Sequence, residues 1–220
     1  MLAPDKTLSF ASIVRERWPR ARIDSVLVIG CGDGQEAQVL AEYFGCRVTA
    51  IDIDGKFEPR SAVEFRRMDA REMTFAAESF DLVYSFHALE HIVPAEPVVD
   101  GIRRVLRPGS PFCLGTPNRR RLVGYLGSAD ATLAEKIRWN AADWRARLAG
   151  RFRNELGAHA GFTAAELHEL GSRIGATAIV SDEYYRHAYP RYDPLIKLIV
   201  AVRLQKLLWP AVYAVGYKSG

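Results

Sequence analysis

The chain has 220 residues, of which 49% are hydrophobic, 25% charged and 10% aromatic. These fractions are typical of a globular protein and exclude a disordered, collagen-like or low-complexity chain. The length favours a single domain spanning residues 1–220. The three cysteines, Cys31, Cys46 and Cys113, have no paired spacing, which argues against a disulfide framework or a metal site. We therefore expect a reducing, cytoplasmic compartment.

Neither a targeting signal nor a membrane span is predicted. The N-terminus lacks a basic region followed by an apolar core. The most apolar stretch, residues 195–217, is interrupted by Lys197, Arg203, Lys206 and Pro210 and falls short of a transmembrane helix. A soluble protein is therefore expected. The net charge is +4, but nine basic and three acidic residues give residues 118–154 a charge of +6, which suits an anionic ligand.

Helix and strand signals alternate along the chain. Helices are predicted over residues 7–18, 35–44, 95–106 and 163–175, the last opened by a Thr163–Glu166 capping box. Strands are predicted over residues 25–30, 47–52, 63–66, 80–86, 111–115, 176–181 and 211–217. This order predicts an α/β fold with a seven-stranded, mostly parallel sheet covered by helices on both faces. Residues 119–160 lack strand signals and should form a helical cap over the substrate.

A glycine-rich turn and two acidic residues follow successive predicted strands. Residues 30–34, GCGDG, stand between a buried strand and a helix, where a ligand can approach bare backbone. The dinucleotide fingerprint would need glycine at Gln35, and the GK[ST] of a P-loop is absent. Asp52 ends the second strand and can accept both hydroxyls of a ribose. Asp69 follows the third strand and can accept the amine of adenine.

Five segments in order carry a family resemblance: VLVIGCGDG at 26–34, AIDID at 50–54, MDA at 68–70, FDLVYSFHALEH at 80–91 and VLRPG at 105–109. Together they resemble Rossmann-like (class I) S-adenosylmethionine-dependent methyltransferases, of the small-molecule type that includes quinone-biosynthesis O-methyltransferases. The resemblance implies S-adenosylmethionine as cofactor. It places the cofactor against Gly30, Cys31, Gly32, Gly34, Asp52, Ile53, Asp69, Ala70 and Phe86. Only ten residues separate Asp52 from Val63, so the adenine wall beside Ile53 is either open or rebuilt from elsewhere.

Two histidines are candidate general bases. His87 and His91 follow the fourth strand, are four residues apart and could share a helical face. A base near neutral pKa assists an oxygen nucleophile, and the resemblance favours His91. The alternative is that His91 packs structurally. Between the histidines, Glu90 is expected to be solvated or a hydrogen-bond anchor.

Residues after the fifth strand are candidates for substrate contact. Asn118 and Arg119 resemble a Thr-x-Asn-Arg segment of quinone-biosynthesis enzymes, although a simple Pro-Asn turn is an equal alternative. Trp139 and Trp144 lie among the arginines of the insertion and could stack on a substrate ring, or dock on the core. Residues 195–208 are apolar on most faces and suit a packed helix, a homodimer surface or a membrane-surface helix.

The leading hypothesis is methyl transfer to a small-molecule acceptor, at an oxygen atom. An RNA methyltransferase remains an alternative because of the basic insertion, although no RNA-binding module is visible. A non-catalytic S-adenosylmethionine-binding protein is the alternative from a different class. A nicotinamide oxidoreductase is disfavoured by Gln35.

Overall fold

The computed structural model describes residues 3–54, 56–125 and 131–220. The strands are β1 (Ser25–Ile29), β2 (Arg47–Asp52), β3 (Val63–Arg67), β4 (Leu82–Phe86), β5 (Pro111–Pro117), β6 (Gly175–Ile179) and β7 (Ala211–Lys218). The helices are α1 (Ala3–Arg17), α2 (Gln35–Phe44), α3 (Glu96–Val105), α4 (Leu133–Leu148), α5 (Ala164–Ser172), α6 (Ser181–Ala188), α7 (Asp193–Ala201) and α8 (Gln205–Leu208). Within these ranges no helix combines the length and apolar character that crossing a membrane requires.

The seven strands form one sheet in the order β3-β2-β1-β4-β5-β7-β6. Strand β7 runs antiparallel to both β5 and β6, and the other pairs are parallel. The predicted α/β fold is confirmed. Because β1 lies between β2 and β4, the winding of the chain reverses there, and ligands of such sheets bind in the crevice at the carboxyl ends of those strands.

The apolar strands are buried on both faces of the sheet. In β1, Val26 and Val28 join a cluster that includes Phe10 of α1 and Leu40 of α2. Leu27 and Ile29 join the opposite cluster, together with residues of α3 and α5. Successive side chains of a strand point to opposite faces of the sheet. Because both faces are buried here, β1 shows no alternation of apolar and polar residues. This double burial holds the carboxyl ends of the strands in place.

The predicted elements agree with the structure except after β6. Helix α2 and strand β2 have the predicted bounds, and the capping box of α5 is present. The prediction of a strand reaching residue 181 was wrong, because Ser181 begins helix α6, which the sequence analysis did not foresee. The Ser181 hydroxyl accepts the backbone N–H of Tyr213 at 3.0 Å, so the side chain anchors the new helix to β7.

The two ends of the insertion after β5 lie side by side at the edge of the sheet. Phe162 N–H donates to the Pro117 carbonyl at 3.0 Å, and Arg119 N–H donates to the Phe162 carbonyl at 3.1 Å. Gly161 permits this closure, because a Cβ there would lie 1.9 Å from the Pro117 oxygen. Helix α4, which begins with a Thr132 capping box, is the main element between these ends.

Candidate active site

The glycine turn after β1 presents bare backbone to open space. Gly30, Gly32 and Gly34 have φ angles of 73°, 51° and 85°, in the left-handed region that glycine adopts without strain. A Cβ at Gly30 would lie 2.3 Å from that of Ala88, so the turn packs against the segment after β4. At Gly32 no atom lies within 4 Å of such a Cβ. A ligand can therefore reach the main chain at Gly32.

Asp52 joins the end of β2 to this turn. Its Oδ2 accepts the N–H of Gly32 and its Oδ1 accepts the N–H of Asp54, both at 2.9 Å. A carboxylate oxygen that accepts one such bond keeps a further lone pair for a hydroxyl. Burial, reinforced by the Asp52 charge, raises the pKa of the neighbouring Cys31 thiol to about 12. Cys31 is therefore a neutral thiol at physiological pH.

The short segment between β2 and β3 packs against the glycine turn. Phe57 packs against Gly34 and stacks on Phe65 at a ring-centroid distance of 4.8 Å. The N–H of Glu58 donates to the Asp33 carbonyl at 3.2 Å. Of the described residues in this segment none is helical. Ile53 is 61% exposed beside it, an open apolar wall.

Asp69 caps the short turn that follows β3. Its carboxylate accepts the backbone N–H of Arg71 at 2.9 Å and forms an ion pair with the Arg71 guanidinium at 2.6 Å. The hydrogen bond from the Arg71 side chain holds the pKa of Asp69 below its usual value. The carboxylate is ionised, and Ala70 beside it is buried.

A cavity of about 860 Å³ opens beyond the carboxyl end of β4. Phe86, His87, Glu90 and His91 line one side. The other walls are mainly aromatic and apolar, and include Tyr125, His159, Tyr184, Tyr185, Tyr189, Ile196, Trp209 and Tyr213. Burial raises the pKa values of Tyr184, Tyr185 and Tyr213, so these phenols are neutral. Lys6 and Arg121 also line the cavity, but most of its wall suits an apolar or aromatic molecule.

The two histidines do not share a helical face, and that prediction was wrong. His87 has a φ of 53°, and only residues 89–91 form a single 3-10 turn. The buried Glu90 carboxylate lies between the rings, with Oε1 3.4 Å from His87 Nδ1 and 4.0 Å from His91 Nε2. Thr116 donates its hydroxyl to Glu90 at 3.3 Å. Glu90 is therefore an anchor at the cavity wall rather than a solvated side chain.

His91 contacts a second imidazole that the sequence analysis did not single out. The rings of His91 and His159 lie edge to face, with centroids 4.6 Å apart. Burial, and next the His91 charge, lower the pKa of His159. His159 comes from the far end of the insertion, 68 positions along the chain, so no local pattern relates the two.

Asn118 and Arg119 hold the chain and do not line the cavity. The Asn118 amide donates to the carbonyls of Lys206 and Trp209, both at 2.9 Å. Arg119 pairs with Glu166 at 2.6 Å and donates to the Gly161 carbonyl. Both donors are thus committed to distant parts of the fold, and the two side chains lie outside the lining of this cavity.

The two tryptophans of the insertion also lie outside the cavity wall. Trp139 packs on Tyr125, whose ring centroid is 5.2 Å away, and Tyr125 does line the cavity. Trp144 donates its indole N–H to the Leu122 carbonyl at 3.1 Å and is 43% exposed. Trp139 therefore supports the wall from behind, and Trp144 fastens α4 to the loop after β5.

Arg121 organises the insertion, which the sequence analysis did not anticipate. The guanidinium is 3% exposed, pairs with Asp143 of α4 at 2.8 Å and donates to the carbonyls of Asn118, His159 and Ala160. Arg121, one of the nine basic residues counted over residues 118–154, thus cross-links the insertion internally and does not add to a positive surface. Only tertiary contacts distinguish Arg121 from Arg119 and Arg120, which precede it.

Comparison with known proteins decides the family. Residues 27–114 match the family model Methyltransf_11, described as a methyltransferase domain. Residues 27–114 therefore belong to an S-adenosylmethionine-dependent methyltransferase domain of this family. The matched residues run from β1 into β5 and include the glycine turn, Asp52, Asp69 and both histidines.

Two curated relatives are similar to this part of the chain. A "Probable S-adenosylmethionine-dependent methyltransferase" of Mycolicibacterium smegmatis is 34% identical over 99 residues, 43% of this chain and 38% of the relative. A ubiquinone biosynthesis O-methyltransferase of Xanthomonas oryzae pv. oryzae is 32% identical over 132 residues, 53% of this chain and 54% of the relative. The alignments thus span about half of each relative's length, or less.

The likeness of fold extends over nearly the whole chain. The plantazolicin methyltransferase BpumL in complex with SAH superposes with a TM-score of 0.65 at 14% identity, covering 99% of this chain and 85% of that one. Elements beyond residue 114, which the family model does not match, therefore also follow a known arrangement.

Proposed function

We propose that this methyltransferase transfers the methyl group of S-adenosylmethionine to an oxygen atom of a small, largely apolar acceptor. The observation that carries the proposal is the position of the aromatic cavity. Its wall begins at Phe86 and His87, and the next residue, Ala88, packs against Gly30 of the glycine turn. A cofactor on the turn and an acceptor in the cavity would therefore be neighbours.

The residues at the carboxyl edge fit S-adenosylmethionine. The free main chain at Gly32, between Gly30 and Gly34, suits the methionyl part, with Cys31 as a neutral neighbour. The Asp52 carboxylate suits the ribose hydroxyls. The exposed side chain of Ile53 offers an apolar wall for adenine, and Asp69 with the Ala70 amide offers its polar partners. Phe86 closes the site toward the cavity.

The cofactor supplies a methyl group already activated on a sulfonium. The protein's task is then orientation, which can lower a barrier by roughly 7–11 kcal/mol, and removal of the acceptor's proton. His87 is the better-positioned base, because Glu90 at 3.4 Å favours a proton on Nδ1 and leaves Nε2 to accept one. His91, 51% exposed and packed on His159, is the second candidate.

The lining of the cavity supports an apolar acceptor that carries a hydroxyl group. Neutral tyrosines and apolar side chains make up most of the lining and bind rings and chains. The name of the Xanthomonas relative, an O-methyltransferase, supports oxygen as the methylated atom. Residues 119–160 would act as a cap that contributes Arg121, Tyr125 and His159 to the cavity.

The test is titration calorimetry with S-adenosylhomocysteine and with NAD as control, followed by turnover on a panel of phenolic and aliphatic alcohols. We expect micromolar binding of S-adenosylhomocysteine, none of NAD, and release of S-adenosylhomocysteine from S-adenosylmethionine with at least one alcohol. Binding without turnover on any acceptor would favour the non-catalytic alternative. No binding would refute the cofactor assignment.

A further inference from the structure

Helix α4 carries an apolar stripe on its surface. Leu133, Ile137, Trp144 and Leu148 are exposed and recur at helical spacing, within about 60° of arc at 3.6 residues per turn. No residue of α4 is fully buried. Leu148 is 85% exposed, which is unusual for a leucine at the end of a well-capped helix. The stripe is therefore not used by the protein's own core.

The stripe continues onto a second exposed apolar region. Trp144 donates to the carbonyl of Leu122, whose own N–H donates to the Leu207 carbonyl at 2.8 Å. Leu122, Leu207 and, on α7, Leu198 are all exposed. These hydrogen bonds connect α4, the loop after β5 and α8, and we call the exposed apolar side chains of α4 and α7–α8, together with Leu122, the apolar face.

Cations lie along the apolar face. Arg138 and Arg145 follow the stripe on α4, while Arg203 and Lys206 stand between the leucines of α7–α8; all four side chains are exposed. In the part of the chain that the structure describes, none of the four pairs with a carboxylate. Leucine and tryptophan bordered by arginine and lysine are the composition of helices that lie in a membrane interface.

The cavity opens at the same face. Tyr192, Leu195 and Leu208 line the cavity and are also exposed to solvent. An acceptor that leaves an apolar phase at this surface would enter between these side chains without crossing water.

We propose that the apolar face docks on an anionic lipid bilayer, and, given the function proposed above, that the acceptor is a lipophilic molecule taken from that bilayer. Anionic headgroups complement the cations, and the acyl region takes up the leucines and Trp144. A second copy of the chain is a poorer occupant, because a two-fold contact would place the same four cations opposite one another.

The test is sedimentation of the full chain with vesicles of phosphatidylcholine alone or with 30% phosphatidylserine. We expect binding about tenfold or more tighter to the anionic vesicles, weakened by salt. The double variant Ile137→Glu/Leu148→Glu should lose about tenfold or more of this binding. Arg138→Gln should lose about fivefold, the effect of one cation near the surface.

The matched control is Tyr43→Glu/Tyr217→Glu. It adds the same charge at partly exposed apolar positions near the ends of α2 and β7, which both run away from the cavity. It should bind vesicles like the wild type, because charges far from the surface are screened beyond about 8–10 Å. Circular dichroism verifies that both double variants are folded.

Three outcomes would overturn the docking proposal: no vesicle binding by the wild type, equal loss in the control, or a dimer in sedimentation analysis that only Ile137→Glu/Leu148→Glu dissolves. The last outcome would make a second copy the occupant. Titration with S-adenosylhomocysteine without vesicles tests the proposed function separately, so either proposal can fail alone.

Discussion

Asp52 combines two tasks at one position. It fixes the glycine turn through the N–H of Gly32, and its remaining lone pairs face the place proposed for a ribose. A neutral amide of the same shape would keep one acceptor and lose the charge. Its replacement therefore separates the effect of charge from that of shape.

We predict that Asp52→Asn weakens binding of S-adenosylhomocysteine by about 1.5–3 kcal/mol, the contribution of a hydrogen bond to a charged group. Titration calorimetry measures this. The control is Asp54→Asn, because Asp54 is largely exposed and pairs only loosely with Lys56, at 3.7 Å. Wild-type affinity in Asp52→Asn would show that the ribose lies elsewhere.

Glu90 is a positioning residue in our proposal, because it would act through the ring of His87. We predict that Glu90→Gln lowers kcat by about tenfold or more and moves the acidic limb of the pH profile, where the base becomes protonated, to lower pH, since the variant no longer stabilises the imidazolium. Turnover is followed as release of S-adenosylhomocysteine across pH. Affinity for S-adenosylhomocysteine should be retained.

His87→Ala and His91→Ala complete this experiment. If His87 is the base, His87→Ala loses far more turnover than His91→Ala. An unchanged pH profile in Glu90→Gln, or a larger loss in His91→Ala, would assign the base to His91 or to neither.

At the scale of elements, the insertion is held together by the ion pair and hydrogen bonds of the buried Arg121. Its guanidinium joins α4 to the strand edge and contacts Tyr125 and Phe152 through their ring faces. Removing one partner of a buried ion pair costs about 3–5 kcal/mol, because the other charge stays buried. Asp143 would be that stranded charge.

We predict that Arg121→Met loosens residues 119–160 while the sheet stays folded. Hydrogen exchange should rise throughout α4 and remain unchanged in β1 and β4. Arg120→Met is the control, because Arg120 is exposed and holds no ion pair in the described residues. Equal exchange in both variants would show that Arg121 is dispensable for the cap.

The half of the fold that ends at β5 could be predicted from sequence, because its signals are local. Apolar runs, glycine turns and capping pairs determine α2, β2 and β4 within a few positions. The outer half depends on contacts between distant residues, such as Asn118 with Trp209 or His91 with His159. No spacing rule predicts these pairs, so the sequence did not reveal that the candidate substrate residues lie outside the cavity lining, or that Arg121 is buried.

At the scale of the whole molecule, Asp81 ties the lower ends of β1 and β4 together. Its Oδ2 accepts the N–H of Ser25 at 3.0 Å and the Ser25 hydroxyl at 2.8 Å, and it pairs with Arg107. Burial alone would raise the pKa of Asp81, but the bonds from Ser25 and Arg107 outweigh it and lower the pKa. The ionised form therefore stabilises the fold.

We predict that Asp81→Asn loses about 1.5–3 kcal/mol of unfolding free energy at neutral pH. Because the folded pKa is lowered, this contribution is complete above the unfolded value of about 4 and disappears as pH falls through the folded pKa. Urea unfolding at pH 7 and in acid measures whether the unfolding free energies of the wild type and Asp81→Asn become equal at low pH. The control is Asp24→Asn, which should change the unfolding free energy by at most about 1 kcal/mol because Asp24 is exposed. If Asp81→Asn remained less stable than the wild type in acid, the proposed link between stability and the ionisation of Asp81 would be contradicted.

The closure of the insertion at Pro117 and Phe162 has an evolutionary consequence. Since both ends of the loop are tied to one point of the sheet edge, its length can change without disturbing the register of any strand. In the function proposed above, the acceptor-binding half can then change while the donor-binding half stays the same. A lineage built on this scaffold can exchange its acceptor while inheriting its methyl donor unchanged.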